Sequence, residues 1–413
     1  MLDIKIIREN PDLVKKAVAD RNDSEPIDEI LRIDAERRQN IAKLDSLRQE
    51  RKAISSKERE KAQERGRALR GEIQTLEEAV NKLDKQLEDL LLQIPNIPQT
   101  DVPVGKDDVQ NVTVRTWGEP KKLSFKSLPH WTLGEKLNII DFERGVKLSG
   151  TRFYILKGMG ARLQRALITF FLDVNTNEHG YQEIYPPYMV KRECMVGAGQ
   201  LPKLAENIYH DAEEDYWFVG TAEIPLTNLH RDEILAAEDL PINYCAYTAC
   251  FRREKMSAGK DTRGIKRGHQ FDKVEMYKFV TPETSNEELE KLIRHAEDIC
   301  QKLGLAYRVR QLCTGELSFA STKSYDIDVW APGCEEWLEV SSCSNCTDFQ
   351  ARRANIRYRP APDAKPQFVH TLNGSGLALP RMMIAVMENF QQADGTIAVP
   401  EVLQKYVGAK VIK

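Results

Sequence analysis

Eight cysteines in 413 residues are too few for a disulfide framework. A reducing compartment, the cytoplasm, is the expected location. No apolar run approaches the roughly 18 residues that a membrane-spanning helix needs, so no membrane partner is expected. The opening residues, MLDIKIIRENPDLVKK, carry acids and no long apolar stretch, which argues against a secretory signal. Neither sign of charge dominates: 60 Lys and Arg face 63 Asp and Glu, a net of -3. That excludes a uniformly basic nucleic-acid binder and leaves room for a local basic patch. The length suggests two or three domains at roughly 100–200 residues each.

A second absence is local. Residues 26–94 contain no Trp, Tyr, Phe or Cys, and no proline falls between Pro26 and Pro95. What fills the segment is charged and helix-forming. Leu69, Ile73, Leu76, Val80, Leu83, Leu87, Leu90 and Ile94 alternate spacings of four and three, the seam of a coiled coil. Ile30, Ile33, Arg37, Ile41, Leu44, Leu47, Arg51 and Ile54 form a looser seam upstream. Between them, residues 55–68 offer only alanine as apolar residues, and Gly66 is suited to a turn. Two seams and a polar tip predict an antiparallel helical hairpin, about 27–93, each helix reaching about 40 Å. Between residues 35 and 70, twelve Lys and Arg stand against six Asp and Glu, a local charge of +6. Such a patch suits a phosphate backbone, or equally a solvated face laced with i,i+4 pairs.

Residues 101–130 are rich in proline and turn formers and read as a linker to a body at 131–413. In the body a helix is predicted over 161–179, ending at Gly180, followed by extended YQEIYPPYMV. Strands are predicted at 216–220, 244–252, 271–280, 306–312, 325–331 and 336–341, and helices at 286–303 and 377–391. Several strands follow one another without a helix between them. The expected class is therefore α+β, an antiparallel sheet flanked by helices, with the hairpin as an N-terminal arm.

Two stretches carry chemistry. The first, CFRREKMSAGKDTRGIKRGHQFDKVEM (250–276), places Arg252, Arg253 and Glu254 at a strand end before a basic loop. An arginine there can fork onto a phosphate, and strand alternation would aim Glu254 to the same side as Arg252. The second, LNGSGLALPRMMIAVMENFQ, reads as a turn, Asn373–Gly376, that lets a ligand approach and opens a helix with Arg381 in its second turn.

These two stretches resemble motifs 2 and 3 of class II aminoacyl-tRNA synthetases, and YQEIYPPYMV, with Pro186 or Pro187, resembles motif 1. GTAEIPLTNLHRDEIL (220–235), FDKVEMYKF (271–279) and EWLEVSSCSNCTDFQARR (336–353) narrow the resemblance to bacterial seryl-tRNA synthetases, over essentially the whole chain. The resemblance implies a serine–tRNA ligase that is AMP- and pyrophosphate-forming. Its N-terminal domain (1–100) would bind tRNA, and residues 131–413 would hold the class II catalytic domain. It implies Arg252 on the α-phosphate and the amino-acid carboxylate, and Glu254 at the adenine amino group. It also implies Phe271 under the adenine, Arg381 at the γ-phosphate, and Arg253, Val340 and Ser341 within the ATP-binding stretches. Glu339 and Ser342 match the holders of an Mg²⁺ bound with ATP. Thr221, Ala222, Glu223, Arg252, Glu275 and Ser375 match the serine-binding positions. The implied partners are tRNA(Ser), tRNA(Sec) where present, and a second copy of the chain in a homodimer, with no DNA. Lys255-Met256, Gly268 and Leu379-Pro380 depart from common family residues.

The residue types suit adenylate formation, in which a carboxylate attacks the α-phosphorus. That reaction needs alignment and charge neutralisation more than a strong base. A substrate ammonium calls for carboxylates, and a substrate hydroxyl for buried hydrogen-bonding groups. Competing readings are a silent RNA-binding paralogue, a ligase for threonine or proline, and transfer to a carrier protein. Cys343-x-x-Cys346 with Cys334 lacks a second metal-spaced pair, so no zinc is expected. Gly158-Met159-Gly160 lacks the third glycine of a dinucleotide fingerprint.

Overall fold

A computed structural model describes residues 1–53, 59–255 and 263–413, with the backbone alone for 59–62. Part of the expected hairpin tip (55–58), the seam residue Ile54, and Met256 lie outside the described residues. The chain divides into two compact units, Met1–Pro95 and Asn96–Lys413.

The first unit consists of α1 (Ile4–Glu9), α2 (Pro11–Asp20), α3 (Ile27–Ala53) and α4 (Arg59–Leu91). Arg37 pairs with Asp84, Arg48 with Glu77 at 2.8 Å, and Arg65 with Glu50 at 2.7 Å. Partner numbers fall along α4 as they rise along α3, so the helices are antiparallel. Leu44, Leu47, Leu69 and Ile73 form a shared buried cluster, as the apolar seams require. Leu91 is buried and Leu90 half-buried, a one-residue slip of the seam where α4 ends. Gly66 lies inside α4 and makes no turn there. At the other end, buried Asp34 accepts from Arg8 at 2.8 and 2.9 Å and from Arg38 at 3.1 Å, tying α1 to the base of α3.

The second unit is built on an eight-stranded sheet among the described residues. Its strands are β1 (Val112–Trp117), β2 (Gln182–Glu183), β3 (Ile242–Phe251), β4 (Gln270–Val280), β5 (Tyr307–Gln311), β6 (Lys323–Ala331), β7 (Glu336–Thr347) and β8 (His370–Ala378). The order is β1-β5-β6-β7-β8-β4-β3-β2, antiparallel throughout except for the parallel β2/β3 pair. The helices that matter for the site are α5 (Met159–Asn177), α6 (Glu223–Asn228), α7 (Ser285–Lys302) and α8 (Leu379–Asn389). Residues of α5, α7 and α8 share one apolar core with Val274, Met276, Ile327, Val340 and Leu372 of the sheet. No described helix is long and apolar enough to cross a membrane.

Alternation decides what the other face carries. In β4, buried Val274 and Met276 point to the helices, so Phe271, Lys273 and Glu275 share the opposite face. In β8, Asn373 and Ser375 face the same way as Glu275.

Three expectations from the sequence fail here. Asn373–Gly376 is no turn: it lies within β8, hydrogen-bonded between β7 and β4. Its glycines serve the helical side, not a ligand. A Cβ on Gly374 would stand 2.4 Å from Leu292 Cδ2 and 2.8 Å from Cys343 Sγ, and one on Gly376 2.9 Å from Met276 Cγ. Second, α8 starts at Leu379, which puts Arg381 in its first turn rather than its second. Third, β3 ends at Phe251 and Glu254 has φ of +51°, so strand alternation does not place its carboxylate. The segment read as a linker also carries edge strand β1, paired with β5.

Gly374→Ala is expected to lower the unfolding free energy by about 1–3 kcal/mol, because the closely packed Leu292 must give way. Urea denaturation measures it; an unchanged midpoint would show that α7 has room to spare.

Candidate active site

A cleft of about 480 Å³ opens on the sheet face away from the α5–α7–α8 layer. Thr221, Glu223, Arg252, Glu254, Phe271, Glu275, Glu339, Ser342, Ser375 and Arg381 all line it. Four other candidates do not. Ala222 is packed in a neighbouring apolar cluster. Val340 belongs to the helix-side core. Ser341 is buried and donates to the Ser375 carbonyl at 2.6 Å, holding that strand in place. Arg253 lies over the Tyr209 ring at 5.8 Å.

At one end of the cleft is a buried polar cluster. Thr221 Oγ1 donates to Glu275 Oε2 at 2.8 Å and accepts from Lys273 Nζ at 2.8 Å. Lys273 and Glu275 are themselves in direct ionic contact. Glu223, at the start of α6, accepts from Gln350 at 2.6 Å and from Asn373 at 3.2 Å. Burial first, and the nearby Glu275 second, push the Glu223 carboxyl up to about 7. Two acids share this small volume, and one lysine neutralises one of them. The result is a pocket suited to a single added cation and to a small hydroxyl.

Arginines gather next to this cluster. Arg252 is held at both backbone groups by His269: its N–H donates to the His269 carbonyl at 2.9 Å and its carbonyl accepts from Nδ1 at 3.0 Å. Its Nε donates to the Gly220 carbonyl at 3.1 Å, and its guanidinium lies 5.1 Å from the Phe271 ring centroid. Arg381 donates to the Glu339 carbonyl at 2.7 Å and meets its carboxylate at 3.2 Å. Arg267 stands 3.8 Å from Glu254. Beside Ser342, cross-strand from it, buried Asp326 has an oxygen with no hydrogen-bond partner among the described residues. Burial, then Glu339, push the Asp326 carboxyl well above its usual range. Glu339, Ser342 and Asp326 thus form an all-oxygen set that a hard divalent cation such as Mg²⁺ fits.

Residues 205–390 match the tRNA synthetase class II core domain (G, H, P, S and T), and residues 1–98 match the seryl-tRNA synthetase N-terminal domain. A serine–tRNA ligase of Dehalococcoides mccartyi is 64% identical over 413 residues, 100% of each chain. The chain belongs to the seryl-tRNA synthetase family. Two solved seryl-tRNA synthetases have the same fold over 100% of this chain and 99% of theirs. That of Pyrococcus horikoshii, complexed with ATP, gives a TM-score of 0.94 at 41% identity. The cytoplasmic enzyme of Naegleria fowleri, in complex with AMP, gives 0.91 at 33%.

Within this seryl-tRNA synthetase cleft, Lys273, Asn373, Lys266 and Arg267 were not singled out from sequence, nor was buried Asp326 beside Ser342. For Lys273 and Asn373 a signal was there: each is two residues from a chosen one on the same strand face. Asp326 would have needed the β6/β7 register. The departures are accommodated. A Cβ on Gly268 would stand 3.0 Å from the Gln270 carbonyl, so a bulkier residue would need the chain to shift. Pro380 sits in the first turn of α8, where its missing N–H costs nothing. Lys255 is exposed, and its backbone N–H donates to Asn207 Oδ1 at 3.2 Å. Cys343 packs in the helix-side core and Cys346 meets Asn373, so the two thiols do not converge.

Proposed function

We propose that the cleft activates L-serine with ATP to give seryl-adenylate and pyrophosphate. The seryl group then passes to the 3′-terminal adenosine of tRNA(Ser), and of tRNA(Sec) where present. The observation that carries this reading is the cluster of buried Thr221 and Glu275 with half-buried Glu223, beside Arg252 in one cleft. Glu223 and Glu275 take the serine ammonium. Thr221 and Ser375 suit its hydroxyl, and Arg252 takes its carboxylate together with the ATP α-phosphate. Phe271 supports the adenine, Glu254 its amino group, and Arg381 the γ-phosphate end. Glu339 and Ser342 would hold Mg²⁺ with the nucleotide, and there it supplies charge neutralisation of the phosphates. The work of the protein is alignment: it keeps carboxylate and α-phosphorus in contact and screens their mutual repulsion.

Pyrophosphate exchange without RNA, tried with each standard amino acid, tests the reading. Exchange with serine alone supports it. Exchange with a different amino acid overturns the pocket assignment, and none at all from folded protein favours a silent paralogue.

A pH effect follows from Glu223. In the free enzyme its carboxyl titrates at about 7, and only the ionised form attracts an ammonium. The kcat/KM for serine should therefore fall about tenfold per pH unit below that point. Glu223→Gln should be weak at all pH values and should lack this limb. An unaltered acid limb in the variant would assign it to another group.

For the hairpin we propose contact with the tRNA backbone. Lys43, Arg51, Lys52, Arg67 and Arg70 are exposed and make no ion pair among the described residues, as a phosphate-binding face requires. Tyr185 and Met189, 82% and 52% exposed in the motif 1 stretch, support a homodimer contact there.

A further inference from the structure

Away from the cleft, His130, Cys334 and Glu388 bring their side chains together within 4.8 Å. Every polar atom of the group is engaged. Glu388 Oε1 accepts from the His130 backbone N–H at 2.9 Å, from His130 Nδ1 at 3.0 Å and from Cys334 Sγ at 3.1 Å. Its Oε2 accepts from the N–H groups of Gly333 at 2.8 Å and Cys334 at 3.0 Å. His130 Nε2 accepts from the backbone N–H of Ile265 at 3.2 Å. A ring that donates at Nδ1 and accepts at Nε2 is the neutral imidazole with its proton on Nδ1. Its one lone pair is taken by a backbone N–H, which leaves none for a metal.

The target of that lone pair is what matters. Ile265 is fully buried between Gly264 and Lys266, and Lys266 and Arg267 both line the cleft. A Cβ on Gly264 would stand 1.9 Å from His130 Nε2, and its φ of +71° is a glycine conformation. Glu388, on the other side of the ring, belongs to α8, the helix that presents Arg381. His130 therefore links the helix of Arg381 to the stretch that carries Arg267.

We propose that His130 is a positioning residue for the nucleotide: by accepting from Ile265 it sets Lys266 and Arg267 relative to Arg381, without touching substrate itself. The proposal rests on the reading of the cleft as an ATP site, which serine-dependent exchange by the unaltered protein tests on its own. Two substitutions separate the ring's two roles. His130→Asn keeps a donor near Nδ1 and loses the acceptor, whereas His130→Gln places an acceptor near Nε2. In pyrophosphate exchange, His130→Asn should raise KM for ATP about tenfold or more, with KM for serine within twofold, and His130→Gln should restore most of the loss. Gly264→Ala, on the loop rather than in the core, should reproduce the KM effect with His130 intact, and so decides the matter even if His130→Asn does not fold. Equal losses in both His130 variants, following their melting temperatures, would reduce the residue to a structural role. An unchanged KM for ATP in Gly264→Ala would overturn the proposal.

Discussion

Replacing Arg252 with alanine is expected to cut serine-dependent pyrophosphate exchange by about 10³-fold or more, with the melting temperature nearly unchanged. The magnitude follows from its double duty. Removing one preorganised donor from an active site costs about 10²–10³ in rate, and this guanidinium is proposed to meet both reacting partners. It is also held before substrate arrives: His269 clamps its backbone on both sides and Gly220 accepts from Nε. Arg252→Lys keeps the charge but not the planar fork, so it should recover only part of the loss. A variant within tenfold of the parent would move the task of joining carboxylate and phosphate to Arg267 or Arg381.

The second large effect concerns the hairpin. Removing residues 41–80 and joining the cut helices with a short glycine loop should leave exchange within about twofold. Aminoacylation of tRNA(Ser) should fall by about 10³-fold or more. These bounds are narrower than the 27–93 hairpin read from sequence, because the structure shows which part is separable. The base must stay: Asp34 holds Arg8 of α1 there, and Arg37 pairs with Asp84 across the two helices. The cluster of Leu44, Leu47, Leu69 and Ile73 is confined to the hairpin and leaves with it. Charging by the intact protein should weaken steeply with salt, as phosphate contacts release counterions. Full charging by the shortened protein would show that the basic patch is a solvated face and nothing more.

Legibility in the sequence followed the physical signal. Long periodic elements were plain: the 4-3 seam marked α4 from Leu69 onward, and β4 and β6 stood out by their β-branched and aromatic residues. Edge strand β1 was hidden, since nearly all its residues are exposed and the segment is full of turn formers. The error at Asn373–Gly376 has a different origin. Glycine, serine and asparagine in a row signal a turn when only the chain itself is considered. Here Gly374 answers to a neighbour, Leu292, on a helix about eighty positions earlier in the chain, which no local pattern reveals. Most of the site was legible through resemblance because its side chains come from strands with fixed alternation. Glu254 does reach the cleft with Arg252, but not by strand alternation, because the chain leaves β3 before reaching it, at a positive φ. His130 was passed over because its partner, Ile265, offers only a backbone amide, which no residue type announces.

The narrow gap behind β8 ties together two positions that share no chemistry. Gly374 shares a tight space with Leu292 and Cys343, so enlarging it requires a neighbour, Leu292 above all, to give way. Gly374→Ala should be partly rescued by Leu292→Ala, although each alone destabilises. Among relatives, the two sites are then expected to change as a pair. Because Asn373 and Ser375 flank this glycine on the cleft side, drift in a back-side leucine becomes a route by which selection can retune substrate contacts without altering any residue that meets the substrate.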